Sequence, residues 1–86
     1  MKKIIVVFRS KTEVFGYMDA LAERGIPADI TGTPKEAGIG CGIAVEVDYG
    51  FAVRARDIAR EKGFRGFYGI FVEERIGARR SLRRLA

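Results

Sequence analysis

The sequence contains no histidine, no tryptophan, one cysteine and only two prolines among its 86 residues. Without histidine, a single chain cannot build a Ser/His/Asp triad, a Cys/His dyad or a histidine-based metal site. One cysteine cannot form an internal disulfide. The longest apolar run, Ile4 to Phe8, is far shorter than the roughly 20 residues of a membrane span and too short for a signal peptide. We therefore expect a cytoplasmic protein with no membrane segment, no metal and no cofactor.

The overall composition is that of one small globular domain. Hydrophobic residues make up 48% of the chain and charged residues 31%, which argues against disorder. The chain is too short for a multidomain enzyme. It also has no phosphate-binding G-x-x-x-x-G-K-[ST] loop and no paired carboxylates at a recognisable spacing. A carrier or binding protein is therefore favoured over a self-contained enzyme.

The net charge of +5 lies entirely at the C-terminus, because residues 1–74 hold equal numbers of basic and acidic side chains. Ala78, Leu82 and Leu85 have the spacing of a short amphipathic helix. We predict a single domain over residues 1–74 and a basic, helical tail over residues 75–86. The favoured interpretation is that this helix packs on its own or a neighbouring domain with its arginines in water. The alternative is a partner-binding surface for RNA, a membrane surface or an acidic partner, formed by Arg75, Arg79, Arg80, Arg83 and Arg84. Nucleic acid is the less favoured partner, because no aromatic side chain for base stacking lies between these arginines.

Hydrophobic patterning predicts the order strand, helix, strand, strand, helix, strand. Ile4 to Phe8 reads as an interior strand, and Ser10 with Glu13 forms a capping box that begins the first helix. Asp48 is expected to cap the second helix. The remaining strands are predicted at 28–33, 43–47 and 67–72, and the apolar stripe of the first helix at Val14, Phe15, Met18, Leu21 and Ala22.

Strands two and three are too close in sequence for a helical crossover, so they must be antiparallel. The result is an α+β, ferredoxin-like βαββαβ fold: a four-stranded antiparallel sheet in the order 4-1-3-2 with two helices on one face. Tyr68 is predicted to share a strand face with Ile70 and Val72 and to line a homodimer contact.

The cysteine occurs in a glycine-rich loop between the second and third strands. Gly40 and Gly42 flank Cys41, and glycines remove side-chain cover and permit positive φ angles, so the thiol is expected to be accessible. The alternative is that Cys41 packs at the top of the core as a small apolar residue.

In the predicted topology this loop lies at the same end of the sheet as the start of the first helix. Arg9, Ser10 and Lys11 are then its neighbours, and Lys35 belongs to the loop itself. Free helix-start amides and cations favour the thiolate form, so we expect a lowered pKa for Cys41.

Several segments together resemble the family of selenium/sulfur carrier-like proteins, over most of residues 3–72. They are the opening strand with Phe8 and Ser10, the helix end at residues 21–26, Thr33-Pro34-Lys35, and the Cys41-Gly42 pair before the third strand. The resemblance implies a carrier cysteine at Cys41, with Gly42 shaping its turn and Pro34 fixing the start of the loop. The residues from Glu73 onward lie outside the family core.

Two functions from different classes follow. The first is a sulfur or selenium carrier in which Cys41 forms a persulfide, with donor and acceptor proteins as partners. The second is a ferredoxin-like binding or regulatory module for a small ligand, RNA or a protein, in which Cys41 has no chemical role. The sequence distinguishes neither sulfur from selenium nor one donor or acceptor from another.

Overall fold

The computed structural model describes residues 2–38 and 42–85, apart from the side chains of Glu36 and Arg80. Its strands are β1 Lys2–Phe8, β2 Ala28–Gly32, β3 Ile43–Asp48, β4 Phe67–Ile76 and β5 Arg79–Arg84. Its helices are α1 Lys11–Glu23 and α2 Ala52–Glu61, and two short 3₁₀ helices span Lys35–Ala37 and Tyr49–Phe51. The strands form one antiparallel sheet in the order β2-β3-β1-β4-β5.

The sheet confirms the α+β class, the two helices and the antiparallel pairing. The order of the first four strands is the predicted one, but the prediction of a four-stranded sheet was wrong, since a fifth strand pairs with β4. Asp48 caps the 3₁₀ helix at Tyr49–Phe51, where its side chain accepts a hydrogen bond from the Gly50 N–H at 3.0 Å. Asp48 is therefore a helix cap, as predicted, but it caps the 3₁₀ helix that precedes α2 rather than α2 itself.

The basic C-terminal segment is a strand, so the predicted helix over residues 75–86 was wrong. Strand β4 continues to Ile76, and Gly77 with Ala78 forms a two-residue turn that pairs Ile76 with Arg79. Gly77 has a φ of 62°, as the first position of a type II′ hairpin turn requires. Pairing with β4 satisfies the backbone groups of β5 that face β4, and it also packs Leu82 against the open-face cluster. Ala78 and Leu85, the other two residues of the predicted helical stripe, are exposed.

Strand β1 lies at the centre of the sheet and is buried on both faces. Ile4, Val6 and Phe8 belong to the core beneath the two helices, and Ile5 and Val7 belong to a smaller cluster on the opposite face. All five are at most 1% exposed. The continuous apolar run that predicted an interior strand is thus explained by two separate apolar layers.

The helix-covered face carries the larger core, and α1 turns a different side toward it than predicted. The buried residues of α1 are Val14, Tyr17, Ala20 and Leu21. Phe15 is 54% exposed and Ala22 is exposed, so these two assignments were wrong. Tyr17 takes the inner position because its hydroxyl donates a buried hydrogen bond to the Ala55 carbonyl at 2.7 Å, which joins α1 to α2.

The opposite face, here called the open face, is covered by no α-helix of residues 2–38 and 42–85. Its buried residues are Ile5, Val7, Ala37, Ala44 and Phe71, with Tyr68 and Leu82 packed against them. Tyr68 therefore does not share a face with Ile70 and Val72, as predicted, because those two lie in the helix-covered core. The pairing of β1 with β4 shifts between Val7 and Phe8, and this bulge skips Tyr68 and turns it to the open face.

Candidate functional site

The first half of the cysteine loop is anchored on the open face of the sheet. Pro34 is buried and precedes the 3₁₀ helix, whose last residue, Ala37, is 4% exposed within the open-face cluster. The Ala37 N–H donates to the Pro34 carbonyl at 3.1 Å, and the Gly38 N–H donates to the Lys35 carbonyl at 3.0 Å. Apolar contact and local hydrogen bonds thus fix the chain as far as residue 38.

The second half of the loop returns to the sheet at Gly42. The Thr33 N–H donates to the Gly42 carbonyl at 3.2 Å, which closes the neck of the loop just beyond the β2–β3 pairing. Gly42 has a φ of 92°, a conformation that side chains other than glycine rarely adopt. Cys41 and Gly40 lie outside the described residues, so the predicted accessibility of the thiol and the shaping role of Gly40 stay predictions.

A groove of about 440 Å³ runs along the open face beside this loop. Its walls carry charges of both signs, with an ion pair between Lys3 Nζ and Glu46 Oε1 at 3.0 Å. Arg75 Nε lies 3.6 Å from Glu73 Oε1. The residues that line this space are Thr31, Gly32, Thr33, Pro34, Lys35, Glu46, Glu73 and Arg75. Lys3 lines a smaller cavity of about 220 Å³ that shares Glu46, Glu73 and Arg75 with it, and the two are here called the groove together.

Two details of the groove bear on its chemistry. The hydrogen bond and negative charge of Glu46 raise the pKa of Lys3 above its ordinary value, so the ammonium form of Lys3 is favoured in the fold. Thr33 Oγ1 is buried and has no hydrogen-bond partner within the described part of the chain. The groove is therefore polar and charged, suited to a peptide or a small polar group rather than to an apolar ligand.

The start of α1 lies at the same end of the sheet as the cysteine loop, as the topology predicted, since β1 ends where its antiparallel partner β3 begins. Ser10 Oγ accepts a hydrogen bond from the Glu13 N–H at 3.3 Å and donates one to Glu13 Oε1 at 3.2 Å. Glu13 Oε2 accepts a further bond from the Gly66 N–H at 2.8 Å. The Ser10 cap is confirmed, and its hydroxyl is committed to Glu13 in this structure.

The candidate cations for thiolate stabilisation occupy different positions around this end of the sheet. Lys11 is exposed in the first turn of α1, and Lys35 is exposed at the start of the 3₁₀ helix. Arg9 lies over the ring of Tyr68, with its guanidinium carbon 5.9 Å from the ring centre. Lys35 is placed in the loop and along the groove, which makes it the candidate with the strongest support. The thiolate role of Arg9, Ser10, Lys11 and Lys35 stays a prediction.

A cluster of arginine and aromatic side chains was not anticipated from the sequence. Arg84 lies 4.8 Å over the ring of Tyr68 and 5.8 Å from the centre of the Phe71 ring, and it donates to the Tyr68 carbonyl at 2.7 Å. The signal for this cluster was weak, because it depends on β5 pairing with β4 and on the bulge at Tyr68. Gly77 before an alternating Arg-Ser-Leu-Arg segment was the available clue.

A comparison with protein families identifies the family of this chain. The model for the family described as "Putative Se/S carrier protein-like" matches residues 3–68, which include the whole cysteine loop. The chain belongs to this family. The match confirms the resemblance that rests on the loop and the first helix, and the family's carrier description implies contact with other proteins. Comparison with curated proteins found no match.

Within residues 2–38 and 42–85, neither helix has the length and apolarity needed to cross a bilayer. The same part of the chain holds no group of three or more acidic side chains placed to bind a metal ion together.

Proposed function

We propose that this protein carries sulfur or selenium as a persulfide or its selenium counterpart on Cys41. The observation that carries the proposal is the family match, which spans the only cysteine of the chain and the loop that holds it. The anchored ends of that loop support it further. Pro34 and Ala37 hold one end of the loop on the sheet, and the Thr33–Gly42 hydrogen bond holds the other end.

The proposed loading step is a thiol exchange. The Cys41 thiolate attacks the outer sulfur of a donor persulfide, a new S–S bond forms, and the donor's S–S bond breaks. The bonding pair leaves with the donor, which departs as a thiolate, so the step needs no oxidant or reductant. Unloading is the same type of exchange with Cys41 as the leaving group. An acceptor nucleophile attacks the outer sulfur, the S–S bond to Cys41 breaks, and Cys41 leaves as the thiolate.

The surroundings of the loop favour an anion at Cys41 on electrostatic grounds. Lys35 belongs to the loop, and Arg9 and Lys11 lie at the same end of the sheet. Each cation near a thiolate lowers the free energy of the charged form. Glu13 at the helix start opposes them, although its carboxylate is bound to Ser10 and Gly66. We therefore expect Lys35 to contribute more to thiolate stability than Ser10.

The proposal is tested by incubating the purified protein with a cysteine desulfurase and free cysteine and recording intact mass. We expect a gain of one sulfur atom that is reversed by a thiol reductant. Cys41→Ser is the matched control and should gain nothing. Absence of the gain in the natural protein, or an equal gain in Cys41→Ser, would contradict the proposal.

A further inference from the structure

Strand β5 forms one edge of the sheet and is strongly basic. It is the last strand in the order β2-β3-β1-β4-β5, and four of its six residues are arginine. The outer edge of such a strand presents backbone N–H and C=O groups that can pair with another extended chain. Basic side chains and a pairing edge thus occur on the same strand.

The arginines of β5 are distributed over both faces of the sheet. Arg84 lies on the open face, against Tyr68 and Phe71. Alternation along a strand places Arg83 and Arg79 on the opposite face, and both are exposed. A chain added beside β5 would have its own side chains alternating between the same two faces. Acidic side chains on either face of that chain would therefore meet an arginine.

We propose that β5 is a docking edge for an acidic, extended segment of a partner protein, which pairs with it as a sixth strand. Backbone hydrogen bonds along the edge would provide affinity, and the arginines would select for acidic residues. That this partner is a sulfur donor or acceptor rests on the function proposed above. The docking itself does not, since it involves neither Cys41 nor its chemistry.

Charge argues against a second copy of this chain as the occupant. Antiparallel pairing of β5 with β5 of another molecule would set arginine and serine side chains opposite one another, with no acidic residue in Arg79–Arg84. Like charges directly opposite in a sheet are destabilising. Nor would Tyr68 line a contact between two copies paired through β5, because its ring lies beneath the side chain of Arg84.

The placement of the aromatic rings argues against nucleic acid as the occupant. Single-stranded nucleic acids bind by stacking bases on exposed aromatic faces. Tyr68 is stacked with Phe71 at 6.4 Å and 20°, and Arg84 lies over it. Strand β5 itself contains no aromatic residue. An acidic polypeptide uses both the edge and the charge of β5, whereas a nucleic acid would use the charge alone.

A partner docked at β5 would border the open face, on which the first half of the cysteine loop is anchored. Arg84 is opposite Phe71, and Phe71 is opposite Ile5, so Arg84 lies two strand spacings, about 10 Å, from the centre of β1. Ala37, in the anchored half of the loop, belongs to the same apolar cluster as Ile5 and Phe71. Docking at β5 would therefore bring a partner to the edge of the face on which residues 34–38 of the loop are anchored.

The test uses an alternating Glu-Val peptide of about eight residues, long enough to pair with β5. Binding is followed by the amide NMR shifts of the full chain carrying Cys41→Ser, which separates docking from sulfur chemistry. We expect saturable shifts centred on residues 79–84, and an affinity about tenfold lower for Arg79→Gln/Arg83→Gln. Arg54→Gln/Lys62→Gln, which changes one residue of α2 and the residue that caps its C-terminus, removes the same charge elsewhere and should leave the affinity unchanged.

A second peptide separates strand pairing from simple charge attraction. The same sequence N-methylated at alternate backbone positions keeps every carboxylate but loses the hydrogen bonds of one edge. We expect it not to bind. The inference is overturned if the methylated peptide binds as well as the parent, if neither peptide binds, if the α2 control loses as much affinity, or if oligouridylate binds more tightly than the parent peptide.

Discussion

The two faces of the sheet bury apolar side chains in different ways, and the difference separates stability from function. Within residues 2–38 and 42–85, the helix-covered core contains fifteen buried residues, drawn from the sheet, from α1 and α2 and from Ile26, and the ring of Phe8 contacts the rings of Tyr17, Phe64 and Phe67. Over the same ranges the open-face cluster contains five, and one of these, Ala37, comes from the cysteine loop itself. The core beneath the helices can hold the fold while the open face carries the loop, the charged groove and the basic edge.

The largest change in the free energy of unfolding should come from removing a phenylalanine ring, and each face of the sheet has one to compare. Phe8→Ala removes a fully buried ring from the helix-covered core and should lower the free energy of unfolding by about 3–5 kcal/mol. Phe71→Ala removes a ring that is 6% exposed on the thinner layer and should cost less, at most about 3 kcal/mol. Urea unfolding of both variants measures the difference. Equal losses would show that the open face contributes as much to stability as the helix-covered face.

The next effect concerns the junction between α1 and β4. A Cβ added at Gly66 would lie 1.8 Å from Glu13 Oε1, so Gly66→Ala must displace the carboxylate that accepts from the Gly66 N–H. We expect a loss of about 1–3 kcal/mol in the free energy of unfolding. In a Glu13→Ala background the added cost of Gly66→Ala should shrink. Gly32→Ala is the matched control, since nothing lies within 4 Å of its Cβ position.

One tyrosine on each face offers a smaller comparison. Tyr17→Phe removes a buried hydroxyl that donates to the Ala55 carbonyl, and should cost about 1–2 kcal/mol in the free energy of unfolding. Tyr68→Phe, on the open face, should change it by less than about 0.5 kcal/mol. Thermal unfolding of the two variants compares them, and a larger loss for Tyr68→Phe would contradict the assignment of the faces.

Tyr17 also predicts a pH dependence with a definite sign. Burial raises the pKa of Tyr17 above its ordinary value, so the folded protein favours the neutral phenol. Its contribution is fully present below about pH 10 and is lost as the pH rises through the higher folded value, with a limiting slope of about 1.4 kcal/mol per pH unit. The difference in unfolding free energy between the natural protein and Tyr17→Phe should narrow at alkaline pH. A constant difference would contradict the burial argument.

The smallest effect should come from the ion pair of the open-face groove. Lys3→Met or Glu46→Gln breaks a contact between two partly exposed side chains, and such pairs contribute little to stability. We expect a slight fall in Tm at low salt that disappears at about 1 M salt, where charges are screened. A fall that persists at high salt would show that the groove residues contribute by packing rather than by charge.

Most of the fold could be predicted from local patterns because those patterns agree with the tertiary structure. The five apolar residues of β1 predicted an interior strand, and the short connection after β2 required antiparallel pairing. The Ser10 cap marked the first helix correctly. These signals are strong because the same residues that bury apolar side chains in a central strand or a capped helix also complete the backbone hydrogen bonds of that element.

The errors arose where tertiary contacts decided between two periodicities. Ala78, Leu82 and Leu85 fit a helical spacing, but only the pairing of β5 with β4 buries Leu82 against the open face. Tyr68 was assigned to the wrong face because a bulge changes the alternation by one residue. In α1, the Phe15 side chain is more apolar than that of Tyr17, so it was assigned to the core. Tyr17 is buried instead, because its hydroxyl has a buried hydrogen-bond partner in the Ala55 carbonyl.

The sequence predicted where the candidate site lies better than it predicted which contacts hold it. The glycines around Cys41 and the topology placed the loop at the helix-start end of the sheet, and the register of β1 with β3 agrees. The open-face anchoring through Pro34 and Ala37 could not be predicted, because it depends on a cluster assembled from four separate elements. The capping box predicted the bond from the Glu13 N–H to the Ser10 hydroxyl, but not the second bond, which that hydroxyl donates to Glu13 Oε1.

The central claim is that one sulfur atom enters and leaves at Cys41, and a labelled-sulfur chase tests it most directly. The protein is loaded with a desulfurase and isotope-labelled cysteine, freed of small molecules, mapped by peptide mass, and then mixed with a thiol acceptor. The account predicts label on the peptide that contains Cys41 and its complete transfer to the acceptor, with none in Cys41→Ser. Label that never appears on that peptide, or that stays there in the presence of the acceptor, would contradict it.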